Sequence, residues 1–134
     1  MLLVKTLLKQ SNMHGVGVFA DQFIPAGTVI WEFTPEFDLM YEPAKIENLP
    51  EPARSAMLRY TYLSDKTNLY VLCGDNARFL NHADDPTVMV TYPEGGHPEG
   101  IEVAVADIQP GEEITCNYRT FDLRYAKKKG ALFN

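Results

Sequence analysis

Nine prolines and nine glycines interrupt a chain of 134 residues, and this punctuation excludes long helices before any motif is considered. Proline fixes φ and removes a backbone donor, while glycine favours turns, so the segments between them must be short. Residues 2–8 read as a strand followed by a turn at Ser11-Asn12, 16–20 as a short apolar segment, and 25–27 as a Pro-Ala-Gly turn. Residues 28–33 (TVIWEF) have the β-branched and aromatic content of a strand. Strand character returns at 69–73, 87–92, 101–106 and 113–118, with a polar hairpin-like loop at 93–100 (PEGGHPEG) and a turn at Pro110-Gly111. Helical patterns occur only over 42–49 and 52–63. In the second, Ala53, Ala56, Met57 and Tyr60 recur at helical spacing, which predicts a core-facing stripe, and Pro52 suits a first helical turn. The whole pattern predicts one mainly β domain with a short helical insert.

Composition narrows what such a domain can bind. A formal charge of −6 provides no broad basic face for direct nucleic-acid binding. Two cysteines, Cys73 and Cys116, are too few for a disulfide scaffold or a thiolate zinc cluster. Residues 1–10 (MLLVKTLLKQ) carry charge at Lys5 and Lys9 and lack a small-residue cleavage site. No apolar run reaches membrane-spanning length, and a cytoplasmic location is expected.

Three segments carry chemistry. His14-Gly15-Val16-Gly17 places two residues without a Cβ around one valine, which allows close backbone approach to a ligand or simply a turn. A dinucleotide fingerprint would need a third glycine opening a long helix, and Asp21-Gln22-Phe23-Ile24-Pro25 denies one. In 78–86 (RFLNHADDP), Asn81-His82 sets two directional hydrogen-bonding side chains side by side, suited to a polar ligand edge or to loop carbonyls. In 111–118 (GEEITCNY), Tyr118 ends a strand.

Taken together and in this order, these segments resemble the SET-domain family of protein lysine methyltransferases. The phrases HGVGVFADQFIPAGTVI (14–30), RFLNHADDP (78–86) and PGEEITCNYR (110–119) carry the likeness. The resemblance implies a SET-domain fold, mainly β, of small curved β-clip-like sheets with a C-terminal pseudoknot. It divides the chain into N-terminal strands over 2–41, a helical insert over 42–68, a C-terminal core over 69–120 and a short tail over 121–134. It implies S-adenosylmethionine as cofactor, contacted by the Gly15-Val16-Gly17 backbone and by Arg78, Phe79, Asn81 and His82. A protein lysine would enter from the opposite face through a tyrosine-lined channel. Tyr118 is then the catalytic tyrosine and Tyr62 the second channel tyrosine, with Tyr60 and Tyr70 as lesser candidates.

Methyl transfer from a sulfonium to an amine needs alignment and a neutral amine rather than a metal or a nucleophilic side chain. An aromatic channel lowers the amine pKa, and a tyrosine hydroxyl with nearby carbonyls orients it. A metal site built from His14, His82, His97, Cys73 and Cys116 follows no zinc-ligand spacing, so none is expected.

The sequence also departs from the family. Asp84 stands where many members have a zinc-binding cysteine, and the tail contains none. Phe121, Tyr125 or Phe133 would close the channel without zinc; the alternative is a solvated end with the run Lys127-Lys128-Lys129. Thr87, Asn117 and Phe33 replace the family's Asn, Asp and Tyr. These replacements motivate a second reading, a SET-fold cofactor- and peptide-binding module without turnover. Glu42, Glu47 and Glu51 of the insert would face a basic lysine-bearing peptide or else solvent, and a homodimer could complete the peptide groove. Tyr92 is one candidate for setting the number of methyl groups.

Overall fold

The computed structural model describes residues 1–125, and Phe133 and the lysine run at 127–129 lie outside them. The chain forms β1 (Thr6–Gln10), β2 (Val16–Ala20), β3 (Val29–Glu32) and β4 (Leu39–Tyr41), then α1 (Pro43–Glu47) and α2 (Glu51–Tyr60). It continues through β5 (Thr61–Leu63), β6 (Tyr70–Leu72), a 3-10 turn at Asn76–Phe79, β7 (Asn81–His82), β8 (Val88–Thr91), β9 (Ile101–Ala104) and β10 (Glu113–Cys116), and a second 3-10 turn at Tyr118–Thr120. Three small sheets result, ordered β1-β2-β10-β7, β3-β9-β8 and β4-β6-β5.

The core fills the space between these sheets. Val18, Ile24, Ile30, Val71, Val88, Ile108 and Ile114 are essentially inaccessible to water. β10 explains how the sheets hold together. It pairs antiparallel with β2 (Ile114 opposite Val18) and parallel with β7 (Thr115 opposite Asn81). Beyond it, Asp65 N–H donates to Phe121 O at 3.1 Å and Ser64 forms a bridge with Asp122. The C-terminal segment is therefore threaded between earlier parts of the chain, as the pseudoknot expectation required.

Three sequence expectations need correction. The second helix ends at Tyr60, three residues earlier than its pattern predicts, and 61–63 become a strand. Thr61 ends the helix by turning its hydroxyl back onto Met57 O at 2.6 Å, and its β-branched chain suits the extended conformation. The helical stripe is not core either. α2 has no buried residue and Ala56 is exposed, because the helix lies on the surface, with Arg54, Met57, Leu58 and Tyr60 half-buried beneath it. Helical spacing marks a face but not how much protein lies behind it. The first strand also starts at Thr6 rather than at 2, since Leu2 makes only an isolated bridge to Trp31.

Burial along β10 makes a graded stability test. Ile114→Ala is expected to destabilise the protein by about 2–5 kcal/mol in urea denaturation, because a fully buried side chain leaves a cavity. Leu8→Ala, on the half-exposed outer strand β1, is expected to change stability by about 0.5 kcal/mol or less.

Candidate functional site

The segment His14–Gly17 and the pair Asn81-His82, sixty-odd residues apart, meet through one side chain. Asn81 Nδ2 donates to His14 O (2.9 Å), to Val16 O (3.2 Å) and to Glu113 Oε2 (3.0 Å). Glu113 is held in turn by the Ser11 hydroxyl at 2.7 Å. Gly17 is pressed against this cluster: a Cβ there would stand 2.4 Å from Glu113 Oε2 and 3.1 Å from Asn81 Nδ2. Gly15 has φ +47° and faces open space. The two glycines thus have different tasks, one for close packing and one for an open, left-handed bend. This pinned backbone with an open outer face fits a cofactor cradle.

His82 joins the cradle to a second compartment. Its Nδ1 accepts from Tyr118 N–H at 3.1 Å, so the ring proton sits on Nε2, which donates to Asp84 Oδ1 at 2.8 Å. Asp84 also pairs with Arg119 Nη2 at 2.8 Å, and these two partners hold its carboxyl below the usual range, the His82 bond contributing most. The position where zinc-binding relatives carry a cysteine is here an ionic clasp. Among the described residues, no group of three or more His, Cys, Asp or Glu is arranged to hold a metal.

The second compartment is a cavity of about 230 Å³. Its walls include Tyr118, Tyr62, Tyr60, Arg78, Phe121 and Tyr125. The Tyr118 hydroxyl donates to Leu80 O, and its ring lies 5.4 Å from His82, 5.9 Å from Phe121 and 5.5 Å from Tyr125. The Tyr62 hydroxyl donates to Glu99 Oε1 at 2.7 Å, and its ring meets Phe121 edge-on at 5.0 Å. Burial raises the phenol pKa of both tyrosines, with the Glu99 carboxylate adding to the effect on Tyr62 and Cys116 to that on Tyr118. Both therefore stay protonated at neutral pH and act as hydrogen-bonding groups.

The cavity thus brings together Tyr118, Tyr62 and Arg78, whereas Gly15, Val16, Gly17, Asn81 and His82 form the adjoining cradle. Phe79 does not line the cavity, but its ring meets Tyr60 of the cavity wall edge-on at 5.6 Å. Tyr70 is buried behind the cavity wall, under the Arg124 guanidinium at 5.1 Å. Tyr92 is outside, beneath Lys66 Nζ at 4.5 Å, and Val90 occupies the wall on that strand instead. Phe33 stacks on His97 at 4.0 Å.

Thr87 and Asn117 turn out to support the backbone. The Thr87 hydroxyl accepts from Thr115 N–H at 2.9 Å, and Asn117 Oδ1 accepts from Arg119 N–H at 3.0 Å, capping the turn that carries Tyr118. The tail is tied down by Arg124, which donates to Leu58 O (2.8 Å) and Thr61 O (2.5 Å). Of the insert's acids, Glu51 is engaged by Arg54 and Ser55, while Glu42 and Glu47 are exposed.

Sequence reasoning missed Trp31, Glu99 and Glu102, all on the cavity wall. In 101–106 (IEVAVA) the alternation of Ile, Val and Val suggests that those residues point inward, yet Glu102 and Ala104 do. A glutamate inside an apolar strand was the available signal.

Comparison with protein-family profiles decides the relationship: the SET domain matches over residues 15–119. The chain belongs to the SET-domain family. That family comprises protein lysine methyltransferases. This SET domain resembles a Plasmodium falciparum chain provisionally assigned as a histone methyltransferase, at 22% identity and TM-score 0.58, covering 87% of this chain and 95% of that one. It also resembles a chain of the Chaetomium thermophilum Polycomb Repressive Complex 2 bound to GSK126, at 25% identity and TM-score 0.67. There the match covers 96% of this SET domain and 17% of the other chain. The same complex bound to S-adenosylmethionine matches at 24% identity and TM-score 0.63, over 96% of this chain and 17% of that one. No curated protein sequence matches. Among the described residues, no helix is long and apolar enough to cross a membrane.

Two outcomes test this description of the site. Burial raises the Glu102 carboxyl from 4.5 to about 7. The folded state then holds a proton that the unfolded chain releases, so stability is greatest below about pH 4.5 and falls as pH rises to about 7. Relative to wild type, Glu102→Gln is expected to gain about 3 kcal/mol between pH 4 and pH 8 in denaturant titrations, with no further gain above. Arg124→Ala is expected to speed amide hydrogen exchange at 121–125 by about tenfold or more, read by mass spectrometry, because those residues lose their tie to Leu58 and Thr61.

Proposed function

We propose that this SET domain transfers a methyl group from S-adenosylmethionine to the ε-amine of a lysine in a protein. The observation that carries the reading is the junction at His82: the glycine cradle and the tyrosine-walled cavity meet there and are held in register by the Tyr118 N–H bond to its ring. A transfer reaction with two substrates approaching from two sides needs such a junction.

The His14–Gly17 backbone, fixed by Asn81, and the Asn81-His82 strand would hold the cofactor, with Arg78 and Phe79 beside it. Bound there, the cofactor supplies an electrophilic methyl group next to a positive sulfonium. The protein's part is alignment. Tyr118, fixed at its ring by His82, Phe121 and Tyr125 and at its hydroxyl by Leu80 O, lines the path along which an amine would reach the cradle. Tyr62, its hydroxyl on Glu99, forms the opposite part of the aromatic wall. The aromatic surround excludes water and lowers the amine pKa, so the lone pair is available. The Leu80 carbonyl and the tyrosine hydroxyls orient that lone pair and stabilise developing positive charge.

The exposed Glu42 and Glu47 of the insert suit a lysine within a basic segment. Turnover is favoured over a module that only binds, because Thr87 and Asn117 brace the backbone around Tyr118. Wild-type protein is expected to bind S-adenosylhomocysteine in calorimetry and to methylate lysine peptides on an array read by mass spectrometry. Tyr118→Phe is expected to bind the nucleoside equally well and to transfer methyl about 100-fold more slowly or less. Absence of nucleoside binding by the wild-type protein would overturn the assignment.

A further inference from the structure

The cavity wall contains one acidic group that the preceding account does not use. Two buried glutamates line it, Glu99 and Glu102, and they differ in one respect. Glu99 is fully engaged: it accepts from Tyr62 on one oxygen and from Ser64 (2.7 Å) and Thr67 (3.0 Å) on the other. Glu102 is 7% exposed, and among the described residues its carboxyl has no hydrogen-bond partner. Directly opposite it across β3 and β9 sits Trp31, whose Nε1 is also buried without a partner. Side by side on one wall, then, stand a buried donor without a partner and an acid whose carboxyl oxygens make no hydrogen bond among the described residues. Native proteins rarely leave such groups unpaired, because each costs free energy unless something polar binds there.

The rest of the cavity indicates what that occupant is. Its surfaces are mostly aromatic and aliphatic, with Tyr62, Phe121, Tyr125, Val90 and Leu58 on the same walls as the acid. A cavity with largely aromatic and aliphatic walls and a carboxyl on one of them matches a long alkyl chain ending in a cation. We propose that Glu102 receives the ε-ammonium of the substrate lysine and takes its proton, delivering the neutral amine to the Tyr118 end of the cavity. This rests on the methyl-transfer reading above.

The proton balance is simple. One N–H bond of the ammonium breaks and one O–H bond forms on the Glu102 carboxylate, so a cation–anion pair becomes a neutral amine and a neutral acid. No net charge is created in the dry cavity, which is why a carboxylate can do there what bulk water does only well above neutral pH. The amine lone pair then forms the new C–N bond as the carbon–sulfur bond of the methyl sulfonium breaks, its electron pair staying on sulfur. Glu102 returns its proton to water when the product leaves.

Other titratable groups around Glu102 do not compete for this role. The Cys73 and Cys116 thiols and the Tyr62 and Tyr118 phenols all have raised pKa values from burial, so they stay neutral. Glu99 is held by three donors, and Asp122 is bonded to Leu63 N–H and Arg124 N–H. Arg124 is tied through its two terminal nitrogens to backbone carbonyls while its Nε is buried without a hydrogen-bond partner among the described residues, Arg78 Nε donates to Cys73 O at 3.2 Å, and Arg59 stands on the same wall. The Met1 ammonium, paired with Asp38 at 2.8 Å, pulls the Glu102 pKa down and partly offsets its burial.

The test uses n-butylamine as the probe for a lysine side chain. In protein labelled with carbon-13 glutamate, the Glu102 carboxyl resonance is identified by its absence in Glu102→Gln. It is expected to titrate near pH 7 in the free protein. Saturating n-butylamine is expected to raise that midpoint by about one unit or more, since the acid keeps the proton the amine gives up; n-butanol is expected to leave it unchanged, and a lowered midpoint, the mark of a persistent ion pair, would overturn the proton transfer. A midpoint unaffected by the amine would overturn the inference. A second arm follows kcat and KM against pH on a peptide substrate of the wild-type protein. Glu102→Gln is expected to keep nucleoside binding, to lose about tenfold or more in kcat/KM at pH 7.5, and to recover as pH rises and water deprotonates the amine. An unchanged profile would overturn the assignment to Glu102 while methyl transfer itself stands. Absence of methyl transfer by wild type, with the amine-linked titration intact, would support the ammonium site and remove the reaction proposed for it.

Discussion

Everything in this fold depends on one strand being accepted into the middle of a sheet. β10 lies between β2 and β7, antiparallel to the first and parallel to the second. A parallel neighbour cannot be supplied by a hairpin, so the chain must travel far before it can make this pair. What it brings with it is the site. Ile114 carries the core contact, Glu113 reaches out to Asn81 and Ser11, and Tyr118 emerges immediately beyond. A shift of β10 by one residue would invert Ile114 and Glu113 and undo both packing and cradle.

The candidate site has two parts, the glycine segment pinned by Asn81 and the tyrosine-walled cavity, joined where Tyr118 N–H meets His82. Rigidity at this junction comes from unlike sources. On the cradle side it is a single amide, Asn81, spread over three acceptors. On the outer side it is the His82–Asp84–Arg119 clasp, an exposed ionic arrangement in the place where zinc-bearing members use a metal. Such a clasp contributes little to stability when exposed to water, but it fixes the imidazole tautomer and thereby the Tyr118 backbone. Arg124 plays the corresponding part for the tail, and it works through backbone carbonyls rather than through charge alone.

Much of this was legible in the sequence, and the gaps have physical causes. Turn chemistry at Pro25–Gly27 and Pro110-Gly111 located the strands around them, because proline and glycine act locally. The likeness carried by 14–30, 78–86 and 110–119 brought Gly15, Asn81 and Tyr118 into one expected site, and the structure places Asn81 on the glycine segment. Periodicity failed where burial depends on distant partners. Helical patterning predicts an inward Ala56, yet none of the described residues covers that position. Glu102 drew no reading of its own from the sequence, since glutamate seldom faces a core, yet its strand turns the acid in and leaves Ile101 and Val103 only partly covered. Short strands such as β4 and β7 were invisible, since two or three residues hold too little pattern to be recognised.

The threading of the C-terminal segment has a consequence for how such a protein comes into being. A chain made from its N-terminus can pair β1 with β2, and β8 with β9, while synthesis is still under way. The cradle then lacks Glu113, the cavity lacks Tyr118, and the parallel partner of β7 is missing. The candidate site is therefore completed in a late step, when Glu113–Cys116 enters between β2 and β7 and brings Tyr118 with it. An incompletely synthesised copy is not a weakened version of this site but one without it.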